Sequence, residues 1–175
     1  MSTFHHGISV TEQLSGQQAI RTKSPSVIGL IATADDADAT YFPLNQPVLV
    51  TKISEAQGKA GTTGPLAKVL RDTPDQARPV IVIVRVAEGE GATPEEKAAD
   101  QLANTIGSNV AGAYTGAYAL LSAEPITGAK PKIIGAPYLD FPEARAVLVA
   151  IAKKLHGIAY CESHTASVSE AITDV

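Results

Sequence analysis

The stretch Pro79-Val80-Ile81-Val82-Ile83-Val84-Arg85-Val86 is the most hydrophobic in the chain, and it does not alternate. A β-branched run that is apolar at nearly every position suits a parallel strand buried on both faces, which places it in the middle of a sheet. Ser26 to Ala34, continuously apolar with small residues, predicts the first buried strand, and Pro47 to Thr51 a second. Lys130 to Glu162 contains a complete strand, helix, strand unit. Lys132 to Ala136 is its first strand, closed by Pro137, and Ile158 to Cys161 its second. Between them Ala144, Val147, Leu148, Ile151 and Leu155 recur at threes and fours, leaving Glu143, Arg145, Lys153 and Lys154 on the opposite side. Asp140 stands three residues before Glu143, the spacing of a capping box, and predicts a helix start near Phe141. Lys153, Lys154 and His156 oppose the negative end of the helix dipole, and Gly157 is the expected left-handed cap. Strands joined in this way are parallel neighbours linked by a right-handed crossover.

Shorter elements fill the rest. Ser54 and Gln57 frame a brief helix ended by Gly58, and Pro65 to Arg71 is amphipathic with Leu66, Val69 and Leu70 inward. Thr93, Pro94 and Glu96 open a capped helix that runs through Ala99, Leu102, Ala103 and Ile106 to Gly107. A Gly-rich loop covers 108–116, and Ala117 to Glu124 is a short helix carrying Leu120 and Leu121 before Pro125. Ser167 and Glu170 repeat the capping spacing, with Ala171 and Ile172 opening an apolar face at the end of the sequence. These elements predict an α/β fold, a mostly parallel sheet with helices on both faces, preceded by an extended amino-terminal arm. Residues 1–24 are expected to be arm and hinge, with Gly16 to Ser24 as the hinge. Residues 25–175 are expected to be an α/β body incomplete at its carboxyl end, the amino-terminal piece of a longer protein.

Composition narrows the function more than the fold. At 175 residues the chain can bury one sizeable core, and with no Trp that core is built from Ala, Val, Ile and Leu. A net charge of −4 argues against nucleic acid as a partner. No apolar run reaches membrane-spanning length and the amino terminus lacks the order of a signal peptide, so membrane insertion is not expected and folding in a cytoplasm is. A single Cys161 cannot form an internal disulfide.

Candidate chemistry is thin. Asp35, Asp36 and Asp38 lack calcium-loop spacing and read as a solvated turn. Gly89 and Gly91 follow the strongest strand, where a dinucleotide fingerprint would start, but the third glycine is missing and Pro94 intrudes. Gly61-Thr62-Thr63-Gly64 has no Gly-Lys-Ser/Thr to make it a phosphate loop. Cys161, Glu162 and His164 lie past a strand end, yet Cys161 reads as a small buried hydrophobe. His5 with His6, or Cys161 with His164, supplies two zinc donors where a structural site needs four. No catalytic, cofactor-binding or metal residue is therefore assigned, and no cofactor is expected. The thinly apolar alternation Gly7-Ile8-Ser9-Val10-Thr11 suits an extended strand that pairs with something else.

Phe4-His5-His6-Gly7-Ile8-Ser9-Val10, Val27-Ile28-Gly29, Phe42 through Thr51, Tyr114-Thr115-Gly116 with Ala119-Leu120-Leu121, and Lys130 through Pro137 with Leu139-Asp140 together resemble, in order and spacing, the tail sheath protein of contractile-tailed bacteriophages and R-type pyocins. The resemblance covers the whole chain and corresponds to the amino-terminal part of that family's protein. Family members usually carry Gly where Tyr138 stands, which puts the shape of that turn in question. The resemblance implies a structural subunit, not an enzyme, that polymerises helically around an inner tube and contracts to drive it through the bacterial envelope. Implied partners are copies of itself, the inner tail tube protein, and baseplate and tail terminator proteins, in a virion tail or phage-tail-like particle assembled in the host cytoplasm. It also implies that terminal extensions are exchanged between subunits, which gives Gly7, Ile8, Ser9, Val10 and Thr11 the role of a strand donated to a neighbour. The alternative is a ligand-binding or hydrolytic domain on a doubly wound sheet, since fold alone does not settle function. A subtilisin-like label is used for part of the sheath family, but no Asp, His, Ser constellation is recognisable in this sequence.

Overall fold

A computed structural model describes residues 27–76, 79–162 and 168–173. The strands β1 (Val27–Thr33), β2 (Pro47–Val50), β3 (Val80–Val86), β6 (Ile133–Gly135) and β7 (Ile158–Tyr160) form one sheet in the order β2-β3-β1-β6-β7. All neighbours are parallel except β2, which runs antiparallel to β3 at the edge. A small hairpin, β4 (Asn109–Val110) and β5 (Ala113–Tyr114), stands apart from it. β3 is buried along its length as its unbroken apolar run requires, but the central position belongs to β1, which pairs with both β3 and β6. Two interior strands of similar composition look alike in sequence, and only the crossovers decide which is central.

The strand registers sort side chains onto two faces. One carries Ile31, Val82, Val84, Val86 and Ile134, packed against Leu120 of a 3-10 helix (Gly116–Ser122) and against Leu148, Ile151 and Leu155 of α5 (Pro142–Leu155). The other carries Ala32, Val50, Ile81 and Ile83, packed against Phe42, against Ile53 and Ala56 of α1 (Ile53–Lys59), and against Leu66 and Leu70 of α2 (Gly64–Gln76). Helices therefore lie on both faces, as expected. α3 (Pro94–Ile106) and α4 (Ala123–Thr127) lie between β3 and β6 in the chain, and α6 (Val168–Thr173) follows β7.

Several local expectations are corrected. α2 continues past Arg71 and through Pro74 to Gln76. Proline has no N–H for the carbonyl four residues back, here Leu70. That carbonyl instead accepts from Gln57 Nε2 of α1 at 2.8 Å, so the helix survives its proline because a neighbour supplies the missing donor. The cap of α5 is Phe141 with Pro142 in the first turn, and no side chain caps it. Asp140 is buried and accepts instead from the Glu162 amide just beyond β7, tying the two ends of the crossover together. At the other end of α5, His156 is the left-handed residue at φ 54, while Gly157 is needed because a Cβ there would meet Lys132 O. Lys132 Nζ caps the freed carbonyls of Leu155 and His156 at 2.7 and 3.1 Å.

The capping box of α3 is present as predicted, with Thr93 accepting from the Glu96 amide and Glu96 returning to Thr93. Its inward residue, however, is Thr105, fully buried, while Ala99 and Ala103 face solvent. The region 108–116 is not an irregular loop but the β4–β5 hairpin, turned by Ala111 (φ 51) and Gly112 (φ 83). Tyr138 has φ 65, a conformation glycine adopts without strain, which is the physical content of the departure from the family pattern at that turn.

Candidate functional site

Open α/β sheets place ligands beyond the carboxyl ends of their strands. There, past β1 and β3, a cleft of about 700 Å3 is lined by Asp35, Glu88, Glu90, Lys97, Gln101 and Phe141, among others. Its floor does not suit a phosphate. The amides of Gly89, Glu90 and Ala92 already donate to Gln101 Oε1, Asp100 Oδ2 and Glu96 Oε2, all on α3. A Cβ on Gly89 would lie 2.2 Å from Lys97 O, so this glycine serves close packing of the loop on α3. Glu88 shares a hydrogen bond with Asp35, and that bond, then the Asp35 charge, pushes its carboxyl up. Two carboxyl groups this close at an exposed rim repel an anionic ligand.

The Gly61 to Gly64 turn is an anion cradle already filled from within. Asp36 accepts from the amides of Thr62 (2.7 Å) and Thr63 (3.1 Å) and from both hydroxyls. The Thr63 hydroxyl is the main reason the Asp36 carboxyl lies far below the usual range, followed by the Thr62 amide. Asp38 turns elsewhere, accepting from the amides of Thr40 and Tyr41 and pairing with Lys59 at 2.9 Å, which chiefly holds its carboxyl down. The three carboxylates thus face different partners, and among the described residues no group of three or more His, Cys, Asp or Glu is placed to hold a metal ion.

Cys161 is half-buried against the α5 side of the core. Burial first, and the Asp140 charge second, raise its thiol, which disfavours the nucleophilic thiolate. His164, His5 and His6 lie outside the described residues, as do Gly7, Ile8, Ser9, Val10 and Thr11.

What stands out instead is surface shape. Asn45, left-handed at φ 57, accepts from the Gly116 amide with Oδ1 at 2.8 Å while its own amide donates to Arg85 O at 2.8 Å. Two of the stretches that carry the family resemblance, Phe42 to Thr51 and Tyr114 to Gly116, therefore meet here and pin the hairpin to the end of β3. Tyr138, 60 % exposed, carries Lys68 Nζ 5.2 Å from its ring centre. Ile158 and Tyr160 of β7 point together from an otherwise apolar face and are 60 % and 65 % exposed. The sequence contained a signal for this last feature, two large apolar residues at alternate positions of the final strand, but not that no helix among the described residues covers them.

The family model for the "Tail sheath protein Gp18 domain III N-terminal region" matches residues 26–86. The tail sheath protein of Escherichia phage P2 is 44% identical over 161 residues, 91% of this chain and 41% of the phage protein. The major tail sheath protein of Serratia phage KSP20 is 46% identical over 90% of this chain and 39% of its own length. A putative prophage major tail sheath protein of Pseudomonas aeruginosa (strain UCBPP-PA14) is 31% identical over 97% of this chain and 43% of its own. The chain thus spans about two fifths of the length of the curated relatives it matches. Among solved structures, a chain in the contracted-state baseplate of the anti-feeding prophage shares the fold, with a TM-score of 0.53 at 18% identity, covering 89% of this chain and 39% of that one. The sheet with its two helical layers and the ordered match to phage sheath proteins along most of the sequence lead to one conclusion: the chain belongs to the tail sheath protein family and corresponds to the amino-terminal portion of its members.

Proposed function

We propose that this chain is the amino-terminal part of a contractile tail sheath subunit, a structural protein that polymerises around an inner tube and shortens to drive that tube through a bacterial envelope. The observation that carries the proposal is the 44% identity to the phage P2 tail sheath protein over 91% of the chain. A stiff slab suits the task, because an open helical array needs a rigid body and heterologous contacts between different patches of identical subunits. Its copies are the first partner. The inner tube protein, the baseplate and the tail terminator complete the particle, a phage tail or a phage-tail-like device. Residues 1–24 serve as arm and hinge and 25–175 as body, with Gly7 to Thr11 adding a strand to the open edge of a neighbour through main-chain hydrogen bonds. Contraction is the release of an extended lattice, trapped kinetically, into one with better contacts between the same bodies. Electron microscopy of a full-length sheath polypeptide carrying this sequence tests the reading. Hollow or tube-decorating cylinders are expected, and dispersed particles that bind a small molecule would favour a ligand-binding domain instead.

A further inference from the structure

On the α2 side of the sheet, burial falls steadily from one edge to the other. Ile81 and Ile83 of β3 are fully buried, Ile28 and Leu30 of β1 and Ile133 of β6 are half-buried, and Ile158 and Tyr160 of β7 are exposed. These side chains share one face, since the registers align Ile28 with Ile81 and Ile133, and Ile133 with Ile158. α1 and α2 shield its β2-β3-β1 half. Over β6 and β7 the described residues leave a groove of about 360 Å3, which shares Ile28, Pro137 and Glu162 with a second of about 660 Å3 along α2. The opposite face of the same strands is closed, with Ile134 fully buried beneath the α5 layer. A parallel sheet is ordinarily covered on both faces.

The described residues also hold an apolar stripe with nothing beneath it. Val168 and Ile172, one turn apart on α6, are 78 % and 74 % exposed. Crossover handedness says where polypeptide covering the bare half must run. The connection from β1 to β3, toward the β2 edge, lies on this face, whereas those from β3 to β6 and from β6 to β7 run the other way and lie on the opposite one. That is the pattern right-handed crossovers impose. Cover over β6 and β7 on the bare face therefore comes from a segment returning from the β7 side toward β2.

We propose that the β6-β7 half left open by the described residues is the seat of the sheath polypeptide's own continuation beyond residue 175, an amphipathic segment whose apolar residues close over Ile133, Ile158 and Tyr160. Members of the family have the polypeptide for it, since this chain spans only 41% and 39% of the phage P2 and KSP20 proteins. The groove's chemistry favours this occupant over a second copy. Aliphatic side chains on a parallel sheet are the inside of a domain, whereas contacts between subunits that must slide are more polar.

The test uses a full-length sheath polypeptide carrying this sequence, held as a monomer, with Cys161→Ala and Ile158→Cys. The new thiol is expected to react with a maleimide at least about tenfold more slowly than in the same variant unfolded in urea. A native rate within twofold of the unfolded one overturns the proposal. Protection that appears only on polymerisation also overturns it and assigns the face to a second copy. Should the variant fail to fold, hydroxyl-radical oxidation of Tyr160 in the unsubstituted monomer reads the same surface. Protection there supports the proposal, and oxidation as fast as in urea defeats it.

Discussion

Leu70 lies on the buried side of α2, where its carbonyl has no intrahelical donor because Pro74 stands four residues on. Gln57 supplies the bond from α1, so Gln57→Leu should strand a buried acceptor and destabilise the fold by about 1–3 kcal/mol in denaturant unfolding. In a Pro74→Ala background, where the helix can supply its own N–H, the same substitution should cost clearly less. Equal losses in both backgrounds would mean that Gln57 contributes by packing alone. Asp36 and Asp38 offer a pH-dependent counterpart. Both carboxyls are held below their ordinary value, Asp36 chiefly by the Thr63 hydroxyl and Asp38 chiefly by Lys59. A depressed folded-state pKa adds stability that is fully present above the unfolded value, about 3.9 for Asp, and fades as pH falls through the folded value. The amides of Thr62 and Thr63 should therefore keep their exchange protection into acid below that unfolded value, and Asp36→Asn should remove this acid-range dependence. None of these partnerships could be read from sequence. Gln57 and Ser54 have the spacing of a cap, and Asp36 reads as one carboxylate of a solvated turn, until folding brings Leu70 and Thr63 beside them.

Elements were more legible than their attachments. The Thr93-Pro94-Glu96 signature fixed the start of α3 because the capping box is local chemistry, complete within four residues. The Asp140 to Glu143 spacing has the same form and failed, because Pro142 occupies the first turn and the buried carboxylate is drawn to the Glu162 amide across the crossover. The β4–β5 hairpin escaped notice because its strands are two residues each and its turn begins on Ala111, outside the usual Asn-Gly signature. The hairpin's base is a closer constraint than its tip. Gly107, at φ 67, has Thr115 O where a Cβ would sit, 2.1 Å away. Gly107→Ala should therefore cost more than about 2 kcal/mol, while the same change at Gly112, whose Cβ would meet nothing within 4 Å, should cost less despite its positive φ. Comparing thermal unfolding of the two variants checks this, and equal losses would show that backbone strain, not the close approach, sets the cost.

At the scale of the molecule, unbroken apolar runs announced a parallel sheet and the strand, helix, strand unit announced its crossover. Strand order and the half-face that the described residues leave open were not legible, since both depend on which way each connection turns. The family resemblance accounted for Phe42, fully buried against α1 and α2, and for Asn45 and Gly116, which meet across 71 residues of sequence. It also supplied the assignment to Gly7 to Thr11, which lie outside the described residues. The central claim is mechanical: a rigid body linked to its siblings by a donated strand. Deleting residues 1–20 from a full-length sheath polypeptide carrying this sequence, then viewing it by electron microscopy beside the intact form, tests that claim most directly. The account predicts cylinders from the intact chain and only dispersed particles with unchanged circular dichroism from the shortened one; cylinders assembled without the arm would contradict it.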